Sequence, residues 1–513
     1  MEDLTAERET ASPAAETEAA FPVEEPKGRG ALMLLAAIFF AAAYLFLSIV
    51  PISTAPLGFL VLAFAVFAVT AIVALRLGGR IRPSSVIAFV FALGVAAFRF
   101  IHGSFGDDFT ANKLFPSFTL TGIAYAYFVI TLFGNGSGTL GGRFLLDICK
   151  AAAFLFVSFG EVFKTVFGRR KKRSSGTLAV VIGVIVAVVL LVIVGSLLSY
   201  DENFSAMLPK IDLDSLPVIL RKIVLAVPLC AMMFSLFFAS RANKLNGLSS
   251  EGSRAGISNT IRFIPALILI IPAFALLALY VMFFISQWSY YVGAFTHKLP
   301  DGLSAAGYAR EGFFQLLAVA CVNAGLLVGL GCFTKRKNGA EEKVCKAASV
   351  LFCIATLVLI ATAVAKMLLY IDLYDLTYSR LAATIFLVFL AAAFVIEVFA
   401  LIIKRMKALP FVIAVGLVMV FAFSLVNTEK LIADYNVDAY LSGKHRNIDV
   451  EYLRDDIGIN ALDALYRLRT EATDGKVVKE AVSSSAAISR DMNARSVPWY
   501  RYDIPYLRES AKK

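Results

Sequence analysis

Charged residues at the ends of long apolar runs are where this sequence could do chemistry. Arg99, Arg310, Lys366 and Arg380 fall near one set of run ends, as do Asp201, Glu202, Glu311, Asp372 and Asp375. An ionisable group in mid-membrane costs about 2.5–3.5 kcal/mol on insertion scales, so such groups snorkel, pair or bind something. Side chains of both signs at one level make a charge cluster. It either holds an anionic headgroup or solute, or clamps helices together. Glu397 stands apart, well inside its apolar run. It is the candidate buried acid, for proton-linked work or for a structural pair.

The other chemical signals are weaker. His102, His297 and His445 are scattered and share no HExxH spacing, so they read as surface histidines before they read as zinc ligands. The six cysteines have no metal-ligand spacing and suit a chain without a disulfide framework. There is no Walker loop, GxSxG elbow or dinucleotide fingerprint. The glycine-rich 134–142 (GNGSGTLGG) joins apolar segments and follows no strand, so it reads as a linker. No catalytic, cofactor-binding or metal residue is assigned, and no cofactor is expected. Tyr370, Tyr374 and Tyr378, with Trp288, Tyr290 and Tyr291, suit an aromatic belt at a membrane interface, with sugar stacking as the alternative.

The elements that must position these residues follow from composition. The chain has 513 residues, 59% hydrophobic and 17% charged, with a mean hydropathy of +0.76. A soluble domain carries about 45–50% apolar and about 25% charged residues. A soluble globule, a disordered chain and a nucleic-acid-binding domain are excluded. The fold class is all-α, a polytopic integral membrane bundle. A spanning helix needs about 20 apolar residues, and eleven stretches qualify or nearly so: 31–50, 56–75, 84–101, 114–133, 177–198, 219–240, 264–286, 312–333, 347–370, 380–403 and 410–426. Pro228 and Pro272 lie inside two of them and should kink them.

The net charge of +11 is explained by position. With the N-terminus inside, the inner segments from Lys27 to the last span hold 25 Lys and Arg, against 6 on the outer side, Arg221 and Lys222 at the start of 219–240 included. The positive-inside rule then gives an N-in, C-out topology. Residues 1–30 form an acidic, disordered cytosolic arm, and 31–133 hold the first four spans. Residues 134–176 form a cytoplasmic loop. Within it Asp147, Lys150, Ser158, Glu161, Lys164 and Thr165 make one polar stripe of a helix lying in the interface plane. Arg169, Arg170, Lys171, Lys172 and Arg173 follow, as a contact for anionic lipid or as a plain stop signal. Residues 177–426 hold the remaining spans. The neutral tail 427–513, with 14 basic and 14 acidic residues, is a small helical extracytoplasmic unit. Leu462, Leu465 and Leu468 share one face, and SVPWYRYDIPYL suits a strap lying on another surface.

Three stretches in order carry a resemblance: GYAREGFFQLLAVACVN at 307–323, KMLLYIDLYDLTYSRL at 366–381 and YNVDAYLSGKHRNIDVEYL at 435–453, with LLSYDENFSAML at 197–208 between the earlier spans. They resemble bacterial membrane proteins of the domain-of-unknown-function families 4153 and 4173. Asp375 stands where the family pattern has Gly, and IGINALDAL lacks its Ser-x-Asp. The resemblance implies an inner-membrane protein with a helical outer tail and brings no activity. The charged belt is expected to seat the tail through Asn436, Asp449 and Tyr452. The leading reading is a transporter or permease. The alternatives are an envelope sensor or scaffold whose tail binds a protein partner, and a membrane-embedded lipid or glycan transferase. Partners are the bilayer, anionic lipid and such an envelope protein, with no nucleic acid.

Overall fold

The computed structural model of the chain describes residues 29–49, 55–102, 110–167, 218–242, 264–286, 305–335, 339–403, 405–494 and 499–512. The span expected at 177–198, the basic run 169–173, Asp201, Glu202 and His297 lie outside them. Apart from a two-residue parallel pairing of Ile264–Pro265 with Thr334–Lys335, the described regular structure is helical. Among the described residues eight helices are long and apolar enough to cross a membrane, with shorter apolar stretches at Ser117–Leu132 and Gln315–Gly331. All fall on stretches that hydropathy marks as spans, so the chain is an all-α polytopic bundle.

The first group comprises α1 (Arg29–Ile49), α2 (Pro56–Arg76), α3 (Pro83–Ala96), α4 (Phe98–His102), α5 (Thr110–Leu132), α6 (Gly142–Val157), α7 (Glu161–Phe167) and α8 (Val218–Ala242). Pro56 and Pro83 open α2 and α3, where a missing N–H costs nothing and the fixed φ suits the first turn. Ser85 Oγ completes the start of α3, accepting from Arg82 N at 2.9 Å. The group buries its own core, with Phe39, Phe67, Phe154, Phe234 and Phe237 almost fully enclosed.

The second group comprises α9 (Ala266–Ser286), α10 (Ala305–Val328), α11 (Gly339–Tyr374) and α12 (Tyr378–Ile402). Its core is separate and holds Phe352, Leu359, Leu387 and Phe394. A buried chain of polar side chains crosses it: Tyr280 donates to Asn323 Oδ1 at 2.6 Å, and Asn323 Nδ2 donates to Thr356 Oγ1 at 2.9 Å. Inside hydrocarbon such groups must find partners within the protein. Helix α11 runs 36 residues, about 54 Å at 1.5 Å per residue and longer than the hydrocarbon it would cross. Pro228 and Pro272 stay within continuous helices, α8 and α9.

Helix α13 (Ala408–Leu425) packs on both α12 and α3 and so joins the groups. The crossing depends on Gly94, where an added Cβ would lie 2.1 Å from the Phe421 ring. The tail follows as α14 (Thr428–Leu441), α15 (Leu462–Glu471), α16 (Gly475–Ala494) and α17 (Ile504–Ser510). Leu462, Leu465 and Leu468 are buried on one face of α15, as their spacing predicts.

The polar stripe of 144–167 behaves differently from expectation. The segment breaks into α6 and α7 around Ser158–Gly160. Asp147, Lys150 and Ser158 are buried against the bundle, whereas Leu145, Leu146, Phe156 and Val157 are exposed. The stripe is therefore not a solvated face at these three positions. Asp147 accepts from Ser137 N and Ser137 Oγ, both at 2.7 Å, and Ser158 N donates to Ser235 Oγ of α8 at 2.9 Å. Periodicity locates a polar face but does not say whether water or a neighbouring helix satisfies it.

Candidate functional site

The site is the junction where the tail meets both helix groups. A span that ends in Asn427-Thr428-Glu429 carries its own helix start. Asn427 Oδ1 caps α14 by accepting from Lys430 N at 2.9 Å. Its Nδ2 donates to Ile101 O at 3.2 Å and to Asn460 Oδ1 at 2.9 Å. Asn460 Nδ2 in turn donates to His102 O at 2.5 Å. Glu429 Oε2 lies 2.5 Å from His102 Nδ1, and Thr428 Oγ1 lies 3.0 Å from the same nitrogen. His102 is 3% exposed, and Phe98 stacks on its ring at 4.0 Å. The tail is thus tied to the first group by a buried polar network.

A second network ties the tail to the α11–α12 turn. Asn436 Oδ1 accepts from Leu376 N at 2.7 Å, and its Nδ2 donates to Leu376 O at 2.9 Å. The turn needs such support because Asp375 sits at φ 69°, a left-handed conformation that favours glycine. His445 Nδ1 lies 2.5 Å from Asp375 Oδ1 and the ring is buried. Lys444 Nζ donates to Asp372 Oδ1 at 2.6 Å, which holds the ammonium above its ordinary pKa. Tyr435 OH donates to Asp372 Oδ1 at 3.3 Å. Tyr452 OH accepts from Tyr378 N at 3.3 Å, and burial pushes the Tyr452 phenol up to about 12.

Between the two groups and beside this junction lies an apolar cavity of about 630 Å³, lined by α3, α5, α6, α12 and α13. Phe98, Phe423 and Tyr378 form an aromatic cluster in its wall, with centroid distances of 6.5 Å and 5.8 Å. Two of these residues touch the junction directly. Phe98 stacks on His102, and Tyr378 N donates to Tyr452.

The charged candidates separate on inspection. The carboxylates of Asp372 and Asp375 meet tail residues rather than the basic members of the cluster. Arg380 donates to the carbonyls of Tyr374 and Asp375 and lies over the Tyr370 ring at 4.1 Å. Among the described residues Arg380 makes no ion pair, because the backbone carbonyls and the ring ending α11 are nearer. Lys366 and Glu397 are half-buried in α11 and α12. Arg99, Arg310 and Glu311 lie in α4 and α10, and Asp201 and Glu202 lie outside the described residues. Asn436 and Tyr452 contact the bundle, whereas exposed Asp449 caps its own turn by accepting from Tyr452 N at 2.9 Å. Among the described residues no His, Cys, Asp and Glu gather as metal ligands.

Sequence reasoning missed the partners on the tail. His102 and His445 are buried and face carboxylates, not the surface. Glu429, Asn427 and Asn460 carry contacts that no charge count singled out. The legible signal was local: Asn-Thr-Glu at the close of an apolar run is a helix start. The strap does lie on another surface. Tyr500 meets α2 at Gly58, where an added Cβ would be 3.2 Å from Tyr500 Cβ, and α17 packs on α4.

No curated protein and no solved structure matches the chain. Residues 34–468 match the profile of the family described as "Domain of unknown function (DUF4153)". That match runs from α1 through the tail's α15 and takes in both helix groups, the junction and its cavity, so this integral membrane protein belongs to the DUF4153 family.

Proposed function

We propose that this protein is a permease-like carrier of an amphiphile with an apolar body. The observation that supports this reading is the apolar cavity of about 630 Å³ between two separately cored helix groups. Transporters commonly move one bundle against another around a site at their interface. The lining here, with Phe386, Phe389, Leu417 and Phe423, suits hydrocarbon and offers no ion a charged partner. On this reading the chain lies in a bacterial inner membrane, N-terminus inside, with the tail outside. The run Arg169–Arg173 then sits at the anionic cytoplasmic leaflet.

The test uses the purified full chain in vesicles that carry a fluorescent phosphatidylglycerol. The expected outcome is faster bleaching of inner-leaflet probe than in empty vesicles, abolished by Ala382→Trp, which fills the cavity, at unchanged melting temperature. Bleaching no faster than in empty vesicles would overturn the carrier reading.

A second reading has its own support. The tail shares a core with the second group and presents Trp499, Ile504 and Leu507 exposed, as a scaffold displaying a partner surface would. It predicts an envelope protein crosslinked to Trp499-neighbouring positions in intact cells.

A further inference from the structure

The strap gives the tail a surface of its own, away from the junction. Tyr500 lies over Gly58, within one turn of the start of α2. Helix α2 has 21 residues, about 32 Å at 1.5 Å per residue, close to the thickness of the hydrocarbon it crosses. Gly58 therefore marks the hydrocarbon edge. It also stands at the end of a stripe. Val61, Ala65 and Ile72 follow on the same face of the helix, and all three are exposed and apolar, whereas Gly58 is buried beneath Tyr500. On a spanning helix an exposed apolar stripe has hydrocarbon as its solvent. The strap thus crosses the lipid-facing side of the bundle where the hydrocarbon ends. Helix α17 continues at that level, packing on α4, which closes the span Pro83–His102.

What the strap turns outward suits that level. Trp499 is 58% exposed. On α17, Asp503 caps the first turn by accepting from Tyr506 N at 2.8 Å, and Pro505 and Glu509 are buried. Ile504 and Leu507, on the opposite side of that short helix, are exposed. Tyr502 and Tyr506 are half-buried, and their rings stack at 5.7 Å. Trp and Tyr concentrate where hydrocarbon meets headgroups, because a ring with one polar group is satisfied there at both ends. We infer that Trp499, Ile504 and Leu507 form a membrane-interface anchor, whose partner is the boundary between headgroups and acyl chains of the bilayer. The anchor is independent of which membrane face carries the tail and of what the cavity between the groups carries. A protein bound to the same patch, as on the scaffold reading, is the competing occupant.

The experiment places the purified full chain in nanodiscs, whose two faces both meet solvent. The chain has two tryptophans, so the emission of Trp499 is the difference between wild type and Trp499→Phe. A Leu507→Trp variant reports on α17 in the same way, by its difference from wild type. Both positions are exposed, and melting temperature is the folding control. The quenchers are phosphatidylcholine brominated near the headgroup, phosphatidylcholine brominated at the chain ends, and aqueous iodide. Lipid brominated near the headgroup should remove most of the emission at both positions, and the other two quenchers little of it. Quenching by iodide in place of either brominated lipid would overturn the anchor and leave the patch to a protein partner. Equal quenching by the two brominated lipids would also overturn it, because the strap would then lie away from the hydrocarbon edge.

Discussion

Asn436 illustrates what one amide can do at a crowded junction. It takes both polar groups of the Leu376 backbone, N–H and C=O, in bonds of 2.7 and 2.9 Å. Leu376 follows Asp375, which is held at φ 69°. Replacing Asn436 by Leu would keep the volume and orphan a buried donor and a buried acceptor. Each such loss costs about 1–3 kcal/mol, so Asn436→Leu should destabilise the tail by about 2–4 kcal/mol. The measurement is limited proteolysis of the tail in the detergent-solubilised chain, where cleavage should become much faster than in wild type. This residue was legible as a docking candidate. Its partner was not, because a backbone N–H leaves no mark in sequence. His102 and His445 show the converse. Their outer-loop positions suggested surface, and only packing against Glu429 and Asp375 made them interior.

At the scale of elements, the tail is drawn together by one carboxylate. Asp463 of α15 receives Lys430 of α14 at 3.1 Å and Lys512, just past α17, at 2.6 Å, with Arg508 of α17 at 3.7 Å. Burial pushes the Asp463 carboxyl up, but the bonds from Lys512 and Lys430 outweigh it and leave the carboxyl below its ordinary range. A carboxyl with a depressed folded pKa adds stability above its unfolded value of about 3.9, lost as pH falls through the folded value. The tail should therefore loosen in acid below about pH 4. Asp463→Asn should already be loosened at pH 7 and should lose part of that acid dependence. Hydrogen exchange of α17 across pH checks both outcomes. These helices were legible from Leu periodicity and from Pro-broken aromatics. Their mutual ties were not, since Lys430 and Asp463 sit 33 residues apart.

Among the described residues the molecule is two helix groups joined by α13 and bridged by the tail. The bundle was legible because hydrocarbon tolerates so few sequence patterns. The inward turn of the α6 stripe was not, since a polar face reads alike whether water or protein meets it. The proposed topology makes a direct prediction. A cysteine at exposed Ser442 in the tail should react with an impermeant maleimide in intact cells. One at exposed Arg405, between α12 and α13, should react only after lysis. The reverse pattern would invert the topology.

The two attachments of the tail differ in kind. Toward the second group it is welded by oil: Ile432, Val437, Leu453 and Leu465 belong to the same core as Phe352 and Phe394. Toward the first group it is held mainly by a latch of polar bonds at His102, Ile101 and Asn460, with the strap beside them. Oil gives way gradually and polar bonds let go within a fraction of an ångström. Were the groups to swing apart, the parting line would run along the latch, and the tail would travel with the second group like a door leaf with its hinge post, uncovering Phe98 as it left.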